Sequence, residues 1–121
     1  DFYKELSKCK MALNLSRGKP IKYATSNRIA SLVANGIYTF IDKKTKFDDF
    51  FDEDEMGFYT NEKDLVAKID NLKSNEKKLY RYSRNGMKKY FSLFNNKLVT
   101  KYIIDRTFNL IDDKQQIWEK Y

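Results

Sequence analysis

Two short stretches hold the residue types that could do chemistry: Asn14-Leu15-Ser16-Arg17-Gly18-Lys19-Pro20, and Ser26-Asn27-Arg28. Hydroxyls, three fixed cations and a glycine are the ingredients of an anion-binding turn, because a phosphate needs hydrogen-bond donors and positive charge in one place. An apolar run precedes the turn and a helix-forming segment follows it, the arrangement found at the C-terminal edge of a parallel sheet. The missing residues are equally restrictive. The chain has no histidine and one cysteine, Cys9, which excludes Ser-His triads, Cys-His pairs, His-ligated zinc and an internal disulfide.

The flanking elements must position these residues. Residues 2–8 read as the end of a helix. Met11-Ala12-Leu13-Asn14-Leu15 reads as a buried parallel strand, short, apolar and followed at once by Ser-Arg-Gly, with Cys9 expected as an inert packing residue at its start. Residues 16–25 form the loop, where Gly18 and Pro20 oppose regular structure. Thr25 or Ser26 is expected to cap a helix that turns Ile29, Leu32 and Val33 toward the sheet and stops at Asn35-Gly36. Residues 37–41 follow as a second strand rich in β-branched and aromatic side chains. The result is a strand-helix-strand unit of about 30 residues with an expected right-handed crossover.

Residues 42–55 are a charged connection. Phe47, Phe50 and Phe51 have helical spacing, predicting a short helix on the body of the protein. The acids among them lack the alternating ligands and central glycine of a calcium loop, so they read as a solvated acidic face and no metal is expected. Residues 56–59 read as a third strand. Thr60-Asn61-Glu62 caps a helix with a stripe of Leu65, Val66, Ile69 and Leu72. After a break at Ser74-Asn75, Leu79, Tyr82, Gly86, Tyr90 and Phe94 share one face of a long helix, with Lys77, Lys78, Arg81, Arg84, Lys88 and Lys89 around the others. A further helix is expected over residues 97–110 and a last turn over 115–121, carrying Trp118. The fold class is therefore α/β: a Rossmann-like three-layer αβα arrangement with a short parallel sheet and C-terminal helices, as one domain over residues 1–121. Without an initiator methionine, the chain is expected to be part of a longer one.

The net charge is +7, from 24 Lys and Arg against 17 Asp and Glu, and 16% of residues are aromatic. The lysines are interleaved with acids on helix surfaces and the aromatics recur at core spacing, so nucleic acid is not an expected partner. The basic helix leaves a weak contact with an acidic membrane surface as an alternative. No apolar run reaches the ~18 residues of a membrane span, and the start does not resemble a signal peptide. The expected location is the cytoplasm, extending to the inner face of the membrane.

Asn14 through Tyr23, Ser26 through Gly36, Phe50-Phe51 with Glu55-Met56-Gly57-Phe58-Tyr59, and Asn85-Gly86, taken in that order, resemble the C-terminal, donor-binding half of a group 1 glycosyltransferase of the GT-B fold. The similarity covers residues 9–108 and is closest to bacterial enzymes of cell-surface polysaccharide clusters, related to the spore-type glycosyltransferases. It implies transfer of a sugar from a nucleotide-activated donor to a saccharide or other acceptor. The nucleotide sugar is then substrate, with no cofactor. The acceptor and any catalytic base would come from a missing N-terminal acceptor domain, so this piece alone is expected to be inactive. Donor binding falls by resemblance to Ser16, Arg17, Gly18, Lys19, Ser26, Asn27 and Arg28, with Arg28 the first diphosphate contact and Arg17 or Lys19 a second. Ser31 stands where many relatives carry a ribose-binding Glu, and Glu55 matches an acidic position that could serve the cleft or cap a helix. The bland alternatives are a surface ion pair for Arg28 and, for the whole chain, a binding module without chemistry.

Overall fold

The computed structural model describes residues 1–110. Three strands, β1 (Met11–Asn14), β2 (Tyr38–Asp42) and β3 (Gly57–Tyr59), form a parallel sheet in that order. Helix α1 (Phe2–Leu6) precedes the sheet and α2 (Arg28–Val33) connects β1 to β2. After β3 come α3 (Glu62–Lys73), α4 (Glu76–Phe94) and α5 (Asn96–Thr107). The expected α/β class with a short parallel sheet is what the protein adopts. The last turn expected around Trp118 lies outside the described residues.

Strand alternation divides the interior in two. Tyr38 and Phe40 of β2 point to one side and pack with Leu72 of α3 and Leu79 of α4. Ile41 points to the other and packs with Ile29 and Val33 of α2, joined by Phe58, Met56 and the Phe47, Phe50 and Phe51 rings. Because successive strand side chains face opposite ways, β2 must be covered on both faces, and its near-continuous apolar run reflects that. Helix α4 serves both halves. Leu79 and Tyr82 belong to the first cluster, Tyr90, Leu93 and Phe94 to the second.

Two glycines allow this closeness. A Cβ at Gly86 of α4 would sit 2.1 Å from the Glu55 carbonyl oxygen, and one at Gly57 would meet the Phe40 ring at 2.3 Å. Each lets backbone approach where a side chain would collide. Gly36 stops α2 as expected, in the left-handed region at φ +74°.

Several expectations are corrected. The strand predicted as buried is an edge strand: only Asn14 is buried, while Leu13 is 37% and Leu15 60% exposed. It pairs with β2 alone, and among the described residues no strand pairs with its other edge. Cys9 is likewise exposed and not a packing residue, since α1 beside it buries no side chain. Val66 leaves the α3 stripe at 56% exposure. The helix predicted around Phe47 is two 3-10 turns, Lys43–Thr45 and Phe47–Asp49, separated by Lys46 at φ +60°. The Asp42 side chain accepts from the Lys44 N–H at 2.8 Å and tightens the first turn, and the left-handed Lys46 prevents it from growing.

Candidate anion-binding site

The loop after β1 is pinned at one end and open at the other. Tyr23 holds the pinned end: its N–H donates to the Thr45 carbonyl at 2.8 Å, and its hydroxyl donates to Asp49 at 2.6 Å. The anchorage keeps a non-glycine residue at φ +58°, an uncommon conformation that needs outside support. Asn14 donates through Nδ2 to Thr25 Oγ1 at 3.1 Å, tying the strand end to the far side of the loop. Among the described residues, residues 16–20 contribute no backbone–backbone bond outside the strand ladder. Gly18 turns the chain at φ +72°, and a Cβ there would meet nothing within 4 Å. Its glycine is needed for backbone conformation and not for space.

The turn encloses a pocket of about 350 Å³ lined by Asn14, Ser16, Arg17, Lys19, Ser26 and Arg28, together with Leu15, Ile21, Ala24 and Thr25. It opens at the C-terminal end of β1, where open parallel sheets hold ligands. Five of the residues singled out in the sequence therefore meet here. Gly18 shapes the rim without lining the cavity. Asn27 lines a neighbouring, largely aromatic cavity instead. Ser31 lies on α2 outside the pocket, and its carbonyl accepts from the Asn35 side chain at 2.6 Å. Glu55 precedes β3, and in a parallel sheet that puts it at the edge opposite the β1 loop. Its carboxylate accepts from the Asp52 N–H at 2.8 Å, closing a turn. Glu55, Asp52 and Asp54 bring carboxylate oxygens within 4.8 Å of one another, and Asp54 also accepts from Asn85 at 3.1 Å.

The pocket's charge comes from side chains, not from the helix. Among the described residues none of Arg17, Lys19 and Arg28 forms an ion pair, although five lysines elsewhere do. The alternative of a surface ion pair for Arg28 is thus not realised. Arg17, Lys19 and Arg28 are exposed side chains that line one pocket, and their summed positive charge attracts an anion there. The expected donors at the start of α2 are already in use: Ser26 Oγ accepts from the Arg28 N–H at 3.3 Å and the Ser26 carbonyl from the Ile29 N–H at 3.2 Å. With six residues, α2 also has only a small dipole to offer. Ser26 performs the capping expected of it, one residue ahead of the formal cap, Asn27, which makes no side-chain bond.

Sequence reasoning placed Asn14 at the head of the loop stretch and Thr25 as a helix-cap candidate, but counted neither among the donor-binding residues. The available signal was one polar residue inside the apolar run from Met11 to Leu15.

Compared with known families, residues 1–105 match the family model described as glycosyl transferase-like. The chain belongs to that family. Membership assigns it to glycosyl transfer in general and agrees with the resemblance at that level. No curated protein and no solved structure matches the chain. No described helix of this family member is long and apolar enough to cross a membrane.

Proposed function

We propose that the chain is the donor-binding part of a glycosyltransferase of GT-B type, holding the diphosphate of a nucleotide sugar in the pocket after β1. The observation that carries this reading is the gathering of Arg17, Lys19 and Arg28, all without acidic partners among the described residues, around one cavity at a parallel-sheet C-terminal edge. Arg28 is the principal diphosphate contact, Arg17 and Lys19 complete the charge, and Ser16 supplies a hydroxyl. Gly18 permits the turn and Ser26 holds the start of α2. A cavity of about 350 Å³ lies at the lower end of the range for ligand pockets, so it suits the diphosphate and an adjoining sugar but not a whole nucleotide sugar. The rest of the donor, and the acceptor with any base, belong to a cleft completed by an N-terminal acceptor domain. The unpaired edge of β1 and the exposed Leu13 and Leu15 are in keeping with such a complement. In this reading the nucleotide sugar is a substrate and the site needs neither cofactor nor metal. Polysaccharide synthesis at the inner face of the cell envelope is the setting that the resemblance favours.

Thermal unfolding in the presence of UDP, GDP and CMP compounds tests the reading. Binding to the native state alone raises the midpoint as ligand exceeds Kd. A rise with at least one of them is expected, and no response to any would overturn the donor-site assignment.

A further inference from the structure

Asn14 is 5% exposed, and only one end of its amide is satisfied. Nδ2 donates to Thr25, while Oδ1, shielded from solvent, has no hydrogen-bond partner. Native structures seldom keep a buried carbonyl oxygen unpaired without a use for it. Asn14 also lines the pocket that holds Arg17, Lys19 and Arg28. Those three side chains only donate, so they suit phosphate oxygens, which at neutral pH mainly accept. Oδ1 needs the opposite partner, an O–H or N–H. A ligand complementary to both is an anion that carries a hydroxyl close by.

We propose that Asn14 Oδ1 accepts a hydrogen bond from a sugar hydroxyl of the phosphate-bearing ligand held by Arg17 and Arg28, and so separates sugar phosphates from simple phosphates. The inference rests on the donor-site reading and adds to it the residue that recognises the sugar. Asn14 is well placed for the task. It is fixed by its register with Ile41 and by Thr25, so the amide is already oriented before the ligand arrives. Oδ1 is shielded from solvent in this structure, so the contact requires the loop of residues 16–20, which makes no backbone–backbone bond outside the strand ladder among the described residues, to shift as the ligand binds.

The test is calorimetric titration of the wild-type protein and Asn14→Ala with inorganic pyrophosphate and with UDP, GDP, ADP, UDP-glucose and GDP-mannose. For the sugar-containing ligand that the wild type binds, Asn14→Ala should lose about tenfold in affinity, as expected for one well-made hydrogen bond with a buried partner. Pyrophosphate affinity should change less than twofold. Equal losses on both ligands would make Asn14 a support of the loop only and overturn the inference, as would no loss on either. Wild-type binding of pyrophosphate with no gain from any attached sugar would overturn it too. Should the variant not fold, labelled wild-type protein decides by NMR: the Asn14 side-chain amide signals must shift with the sugar-containing ligand and stay in place with pyrophosphate, and the reverse pattern refutes the proposal. A wild type that binds none of these ligands brings down the donor-site reading and this inference together, whereas normal binding by Asn14→Ala brings down this inference alone.

Discussion

The seam between α4 and the segment before β3 and the loop after β1 are built on opposite rules. At the seam Gly86 lies against the Glu55 backbone carbonyl, Gly57 lies under the Phe40 ring, and Met56 beside them is fully buried. In the loop, Gly18 faces open space, Arg17, Lys19 and Arg28 have no acidic partners among the described residues, and Leu15 and Ile21 stay exposed. Under the proposed function, the two regions separate stability from binding. Changes at the seam should act on folding, and changes in the loop should act on ligand affinity with little effect on folding.

The largest expected effect lies at the seam. Gly86→Ala puts a methyl where the Glu55 carbonyl oxygen already is, and backbone cannot step aside as a flexible side chain could. A loss of about 3 kcal/mol is expected in denaturant unfolding, toward the upper end for overpacking. A loss below ~0.5 kcal/mol, the scale of ordinary surface changes, would show that the seam is not tight. In the loop, Arg28→Ala should weaken nucleoside diphosphate binding by ~2 kcal/mol, the scale of a hydrogen bond to a charged group, while thermal stability stays within ~0.5 kcal/mol. A fall in stability without a change in binding would reverse the comparison.

Smaller effects sharpen it. Asn61 caps α3 by accepting from the Asp64 N–H at 2.9 Å, and Asp64 in turn accepts from the Thr60 N–H at 3.0 Å. Asn61→Ala should cost about 1 kcal/mol of stability by thermal unfolding and leave binding unchanged. Tyr38, near the seam, donates its hydroxyl to the Glu53 carbonyl at 2.6 Å. Burial first, and the negative charge of Glu53 second, push its ionisation well above the ordinary tyrosine value. The folded state therefore holds this proton more tightly than the unfolded chain. Stability from this group is complete below the unfolded value of ~10 and is lost as pH rises above it. A pH series of unfolding midpoints should fall above pH ~10, and Tyr38→Phe should flatten that fall at the expense of the Glu53 bond.

The sequence carried the order of elements well, because each was set by a local rule. Asn35-Gly36 ends α2, Asn61 opens α3, Ser74-Asn75 separates α3 from α4, and the Leu79 to Phe94 stripe is the buried face of α4. Features that depend on distant neighbours were not legible. Periodicity called Val66 and β1 buried, but burial depends on which element arrives to cover a face, and β1 has β2 on one side only. The Phe47 segment had helical spacing, yet the Asp42 side chain and the left-handed Lys46 selected 3-10 turns. For the site, Ser16, Arg17, Lys19, Ser26 and Arg28 could be grouped from the loop alone. Asn14 could not, since the unpaired oxygen of an asparagine in an apolar strand becomes visible only when Thr25, eleven residues on, is seen to bond its nitrogen alone.

Binding of nucleoside diphosphates to the wild-type protein and to Arg28→Ala, measured by calorimetry at low and moderate salt, bears most directly on the claim that the loop after β1 is the donor site. At least one nucleoside diphosphate should bind the wild type, more weakly as salt rises, and binding should fall by more than tenfold in the variant while its unfolding midpoint stays where it was. Equal affinity in the two proteins, or no binding by the wild type, would contradict the claim.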